Sequence, residues 1–150
     1  MEPLTNSLFV LHFVVTCVMA GIMWFVQICY YPNLAAVGRE YFISYQKEHI
    51  RRVTRIAWTM LFLELISAIV LVCVPHHRWV WLSLAVNLAL LLGIWWSTFF
   101  VQVPLHHTLE QGWDASAHSR LVRTNWFRTV VYTVRSAVVI VVLWNALQPV

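Results

Sequence analysis

Four apolar runs, residues 8–30, 56–74, 79–103 and 126–147, decide what this chain can fold into. Each is long enough to cross a hydrocarbon core, which needs about 20 helical residues. In lipid every backbone N–H and C=O must be bonded within the protein, which leaves helices or a closed barrel. Barrel strands would alternate apolar and polar residues over segments of about ten residues. These runs are continuous, so the spans read as helices. Composition excludes the soluble alternatives: 61% of the 150 residues are hydrophobic and 11% charged, against about 45–50% and about 25% in soluble domains. A freely soluble enzyme or a disordered chain does not fit. The first run has no basic start and ends at Tyr30-Tyr31-Pro32, so it reads as a retained span and not as a signal peptide. Cys17, Cys29 and Cys73 all lie in apolar surroundings, which suits packing residues better than a disulfide framework.

Positive charge sets the orientation. Arg39, Lys47, Arg51, Arg52 and Arg55 lie between spans one and two, and Arg120, Arg123 and Arg128 between spans three and four. The link between spans two and three holds only Arg78, and the termini hold no basic residue. Both long segments are therefore expected in the cytoplasm and both termini outside, as in a bacterial inner-membrane protein. The basic residues cluster at segment ends, which fits lipid headgroups and not nucleic acid.

The chain also halves. Phe25-Val26-Gln27 recurs as Phe100-Val101-Gln102, 75 residues later, and at that offset His12 falls on Asn87. With one residue of slippage His49-x-x-Arg52 matches Asn125-x-x-Arg128. The expected fold is one all-α transmembrane domain over residues 1–150, a four-helix bundle of two parallel-repeat hairpins (about 1–75 and 76–150) with short amphipathic cytoplasmic helices.

Charges inside a bilayer cost at least about 2.5–3.5 kcal/mol each and need an account. Glu64 and Arg135 lie eight and nine residues into spans that start at the same face, so both sit about 12–14 Å deep. Equal depth and opposite sign predict a buried ion pair, either fixing the packing of span two on span four or flooring an internal cavity. A second polar set gathers at the cytoplasmic ends. His49, Arg52, Asn125 and Arg128 are candidate catalytic groups, with Gln27, Tyr31, Gln102 and His106 as candidate substrate contacts. His49 and Arg52 share a helix face, as do Asn125 and Arg128. Converging, they would make a polar, basic mouth on an apolar bundle, suited to an acidic, phenolic or quinone-like head on a greasy body. The alternative is that the arginines are ordinary interfacial anchors.

No metal site or cofactor is predicted. A haem could be held by His12 with His76 or His77, and a metal ion by His49, His106 and Glu110 at the inner face. The phosphate-binding glycine loop and the nucleophile elbow are both missing from the sequence. No span carries an evident polar stripe, so no pore is expected. Residues 32–55 read as an amphipathic helix with Phe42, Tyr45, His49 and Arg52 on one face, and Asp114 or Ser116 as the cap of the segment entering span four.

Pro104-x-His106, Leu109, Gly112-x-Asp114, Leu121-Val122, Asn125-Trp126-x-Arg128-Thr129 and Arg135 resemble small four-span bacterial membrane proteins of unknown function. They are also similar to the anthrone-oxygenase-like family, whose last helix often begins with Asn-x-x-Arg. The likeness covers about a third of the chain, in its second half. It implies oxidation of a polycyclic phenolic substrate without a known metal, with Asn125 and Arg128 contacting substrate or an oxyanion. Two functions are therefore expected as alternatives. The first is binding, with oxidation as a further step, of an apolar aromatic or quinone-like molecule, where Arg would stabilise a phenolate or enolate and His would move a proton. The second is a non-catalytic accessory subunit of a larger respiratory or photosynthetic membrane complex, with neighbouring subunits as partners.

Overall fold

A computed structural model describes residues 3–147; the extreme ends expected outside the cytoplasm lie beyond them. Helix α1 (Pro3–Phe25) runs through a wide π turn (Val26–Tyr30) into α2 (Tyr31–Leu34). Helix α3 (Phe42–Cys73) follows. Helix α4 (Arg78–Ser97) runs through a second π turn (Thr98–Gln102) into α5 (Val103–Gln111), and α6 (Ala115–Leu147) completes the chain. The described residues contain no strand, and they form four rods of 31, 32, 34 and 31 residues, each long and apolar enough to cross a membrane.

Both π turns end two residues before a proline, Tyr30 before Pro32 and Gln102 before Pro104. Proline has no N–H, and its ring clashes with the carbonyl four residues back, so a regular turn would be broken there. Here the turn is widened instead: Tyr31 N–H bonds to Val26 O and Val103 N–H to Thr98 O, five residues back. The rods thus continue through Pro32 and Pro104, past the ends of the apolar runs at residues 30 and 103. The amphipathic helix expected over residues 32–55 is broken between Leu34 and Phe42, around a turn in which Tyr41 N–H bonds to Gly38 O. Beyond it Phe42 and Gln46 are buried, while Tyr45 points out.

Gly112 ends α5 at φ +157°, ψ 174°, backbone open essentially to glycine. Asp114 then caps α6: its Oδ1 accepts the N–H groups of Ser116 (2.8 Å) and Ala117 (2.9 Å). Asp114→Ala should cost about 1 kcal/mol, read as a lowered midpoint of unfolding in detergent.

Around the bundle, α1 packs on α3 and α6, and α4 likewise packs on α3 and α6. Helices α1 and α4 thus stand on one diagonal, α3 and α6 on the other. The inward stripes correspond. Phe9, His12, Thr16, Met19, Gln27 and Leu34 are buried, and so are Leu84, Asn87, Leu91, Ile94, Gln102 and Leu109, each 75 residues later. Leu61, Glu64, Ala68 and Leu71 are matched at an offset of 71 by Tyr132, Arg135, Val139 and Val142. Three apolar clusters stack along the axis, around Leu34, Phe42 and Leu121 at the arginine-rich end, Met23, Leu61 and Ile94 in the middle, and Phe9, Leu71 and Leu84 at the far end. The expectation that no span has a polar stripe is corrected here. His12, Thr16 and Gln27 share the buried line of the first rod, and Asn125, Arg128, Thr129 and Arg135 that of α6. Apolar residues between them, such as Met19 and Met23, mask the line in the sequence.

Candidate ligand-binding cleft

The interior polar groups form two clusters with different character. The mid-bundle cluster is closed on itself. Glu64 and Arg135 meet across the diagonal, Arg135 Nη1 donating to Glu64 Oε1 at 2.7 Å with both side chains fully buried. Arg135 Nε and Nη2 donate to Asn87 Oδ1 at 3.1 and 2.9 Å. Thr16 Oγ1 donates to Glu64 Oε1 (2.9 Å), and the Tyr132 hydroxyl to Glu64 Oε2 (3.1 Å). Ser67, which bonds the Glu64 carbonyl, also meets His12 Nδ1 at 2.8 Å. Two charges taken out of water hold only if their remaining hydrogen-bonding capacity is filled, and this shell fills it.

The cluster at the arginine-rich end is open on one side. Asn125 Oδ1 accepts from Arg128 Nε (3.0 Å) and Nη2 (2.6 Å), and Asn125 Nδ2 donates to Gln27 Oε1 (2.9 Å). Arg128 Nη2 also reaches the Tyr31 hydroxyl (3.3 Å) and Gln102 Oε1 (3.4 Å). The Tyr31 hydroxyl lies 3.2 Å from His106 Nε2, and His106 Nδ1 lies 3.1 Å from Gln46 Nε2. Against this cluster lies a cleft of about 660 Å³ between the rods. Its walls are apolar, with Met19, Ile22, Met23 and Val26 on the first rod and Ile50, Val53, Ala57, Trp58 and Leu61 on α3. Its polar lining is Tyr30, Tyr31, His49, Thr54, Thr98, Gln102, His106, His107, Glu110 and Arg128. The lining stops at Leu61, one turn short of Glu64. A volume of this order takes a ring system or a lipid tail, and a few convergent polar groups orient it.

Most of the residues expected at the mouth do converge: Gln27, Tyr31, Gln102, His106, Asn125 and Arg128 form one hydrogen-bonded group, reached by both π turns. His49 lies on the α3 wall, its ring stacked on Tyr30 with centroids 3.9 Å apart. Arg52 is elsewhere. Its side chain is 74% exposed and bonds Glu48, one turn back on its own helix, at 2.6 Å. The face shared by His49 and Arg52 therefore does not hold for their side chains. Gln46 was not anticipated; it is fully buried and ties His106 to Tyr30, whose hydroxyl it accepts at 3.5 Å. The spacing Phe42, Gln46, His49 would have placed it inward. His76 bonds the Leu71 carbonyl (2.9 Å), and Glu110 bonds His107 (3.0 Å). Among the described residues no group of three or more His, Cys, Asp or Glu is placed to hold a metal ion. No protein-family model, curated protein or solved structure matches this chain, so the geometry carries the functional reading.

Proposed function

We propose that this is a polytopic inner-membrane protein that binds an apolar aromatic or quinone-like molecule in the cleft, its polar head toward Arg128 and its body along α3. The observation that carries this reading is the pairing of an apolar-walled space of about 660 Å³ with a buried guanidinium at its polar end. The large outward-facing side chains, Val14 and Val18 on α1, Ile66 and Ile69 on α3, Val86 and Leu92 on α4, Ile140 and Val141 on α6, support insertion in lipid. The arginine-rich end is then cytoplasmic and both termini lie outside. The matching buried stripes and the diagonal arrangement support descent from one duplicated hairpin. A phenolic occupant is what the family resemblance adds, its oxyanion meeting Arg128, which Asn125 orients.

The test fills the cleft without touching its polar end. Purified protein should quench saturably with a decyl-substituted benzoquinone, because Trp58 lines the space. Ala57→Trp should abolish that saturable component, a loss of at least about tenfold in affinity, while the protein elutes and melts as the parent does. Unaltered quenching in Ala57→Trp would sink the assignment. Co-purification of fixed partner subunits in stoichiometric amounts would favour the accessory-subunit reading instead.

A further inference from the structure

Resting on that binding reading, we infer that the occupant of the cleft is an acidic amphiphile whose oxyanion is held by Arg128 and Tyr31. Helix α6 carries two buried arginines seven residues apart. Arg135 has a counter-charge, Glu64, at 2.7 Å. Arg128 is only 9% exposed, yet its partners are all neutral: Asn125 Oδ1, Gln102 Oε1 and the Tyr31 hydroxyl. Among the described residues no carboxylate lies within ion-pair distance of it. Its Nη1 donates to none of these groups, and the side chain lines the cleft. The carboxylate in the lining, Glu110, is bonded to His107. A guanidinium buried without a counter-charge is costly, and a bound anion removes that cost.

Tyr31 supplies the second donor. Gln46 presents its amide nitrogen to His106 Nδ1, and its oxygen accepts from the Tyr30 hydroxyl. An amide nitrogen only donates, so the hydrogen-bond network assigns the ring hydrogen of His106 to Nε2. Nε2–H then donates to the Tyr31 oxygen at 3.2 Å, and Arg128 Nη2 donates to the same oxygen at 3.3 Å. Neither contact uses the Tyr31 hydrogen, so the O–H is left to donate, and Tyr31 lines the cleft. The nearby amide oxygens each already accept a hydrogen bond, those of Asn125 and Gln102 from Arg128 and that of Gln27 from Asn125. This end of the cleft therefore offers donors and one positive charge. An oxyanion supplies the counter-charge that Arg128 lacks, which a neutral hydroxyl does not. Carboxylate, phosphate monoester and phenolate share the required chemistry.

The test uses the wild-type chain in nanodiscs of zwitterionic lipid, with empty nanodiscs subtracted, and follows binding by titration calorimetry at neutral pH. The probes are dodecanoate, dodecyl phosphate and an alkyl nitrophenolate, set against dodecanol and dodecanamide. The anions should bind roughly tenfold or more tighter than the neutral probes, and their order distinguishes a fatty acid, a phosphate lipid and a phenol as the source. Tyr31→Phe, which keeps the ring, should reduce the anion preference about fivefold; Arg128→Gln should remove the preference. Equal affinity for anions and neutral probes in the wild type overturns this inference and leaves the cleft as a binding site. Absence of binding by all five probes overturns both. A preference undiminished in both variants places the anion elsewhere and also overturns it.

Discussion

Glu64→Gln should lower the stability of the bundle by about 3–5 kcal/mol, and Glu64→Gln combined with Arg135→Gln should recover a large part of that loss. The single substitution leaves the Arg135 guanidinium fully buried with only neutral side-chain partners. It also turns a group that accepts from Thr16, Tyr132 and Arg135 into one that must donate as well. The double substitution removes the charge together with its counter-charge, so only neutral hydrogen bonds remain to be rearranged. The measurement is a double-mutant cycle on unfolding midpoints in detergent, read as a coupling energy. A double variant no more stable than the weaker single one would show that the two groups act independently, and their 2.7 Å contact would carry no energetic weight.

Asn125→Asp and Asn125→Leu should separate the architectural role of the polar end from its electrostatic role. Asn125→Leu strips both acceptor contacts from Arg128 and the donor from Gln27 Oε1, all in a fully buried position. It should cost about 3 kcal/mol, the sum of several unsatisfied buried groups. Asn125→Asp instead puts a carboxylate where Oδ1 now sits, 2.6 Å from Nη2. The guanidinium then has an internal counter-ion, while Gln27 Oε1 loses its donor and faces a carboxylate oxygen, so the fold should hold to within about 1 kcal/mol. Binding of dodecanoate should nevertheless fall by more than about tenfold, because the new carboxylate repels the oxyanion that Arg128 would otherwise attract. Calorimetric binding and thermal unfolding of the two variants check both halves. Undiminished dodecanoate binding by Asn125→Asp would mean that the charge of Arg128 does not set affinity.

The four rods were legible because a bilayer-length apolar run has few alternatives. The pairing of Glu64 with Arg135 was legible because charge and depth can be counted along a sequence. Azimuth is harder to read. Arg52 matches Arg128 by order along the chain, yet it points outward, because neighbouring Glu48 offers a partner on the helix surface. Gln46 was overlooked because a polar residue in an interfacial segment reads as solvated until the packing of Phe42 against Trp113 shows which face is inward. The cleft itself was legible only as a gathering of polar types. Its apolar walls on α3, from Ile50 to Leu61, look like any lipid-facing stretch, since burial against a ligand and exposure to acyl chains select the same side chains.

The two widened turns govern where the polar line looks. Met19, Met23, Gln27 and Tyr31 are all buried and spaced four apart. In a regular helix each step of four overshoots a full revolution by about 40°, so such a line would wander round the rod within three steps. A loop of backbone that closes five residues back unwinds that overshoot locally. Gln27 and Tyr31 therefore still aim at the bundle axis, as Gln102 does on the opposite rod. Each proline acts as an angular corrector, setting the bearing at which its helix delivers hydrogen-bonding groups to the space beside Arg128.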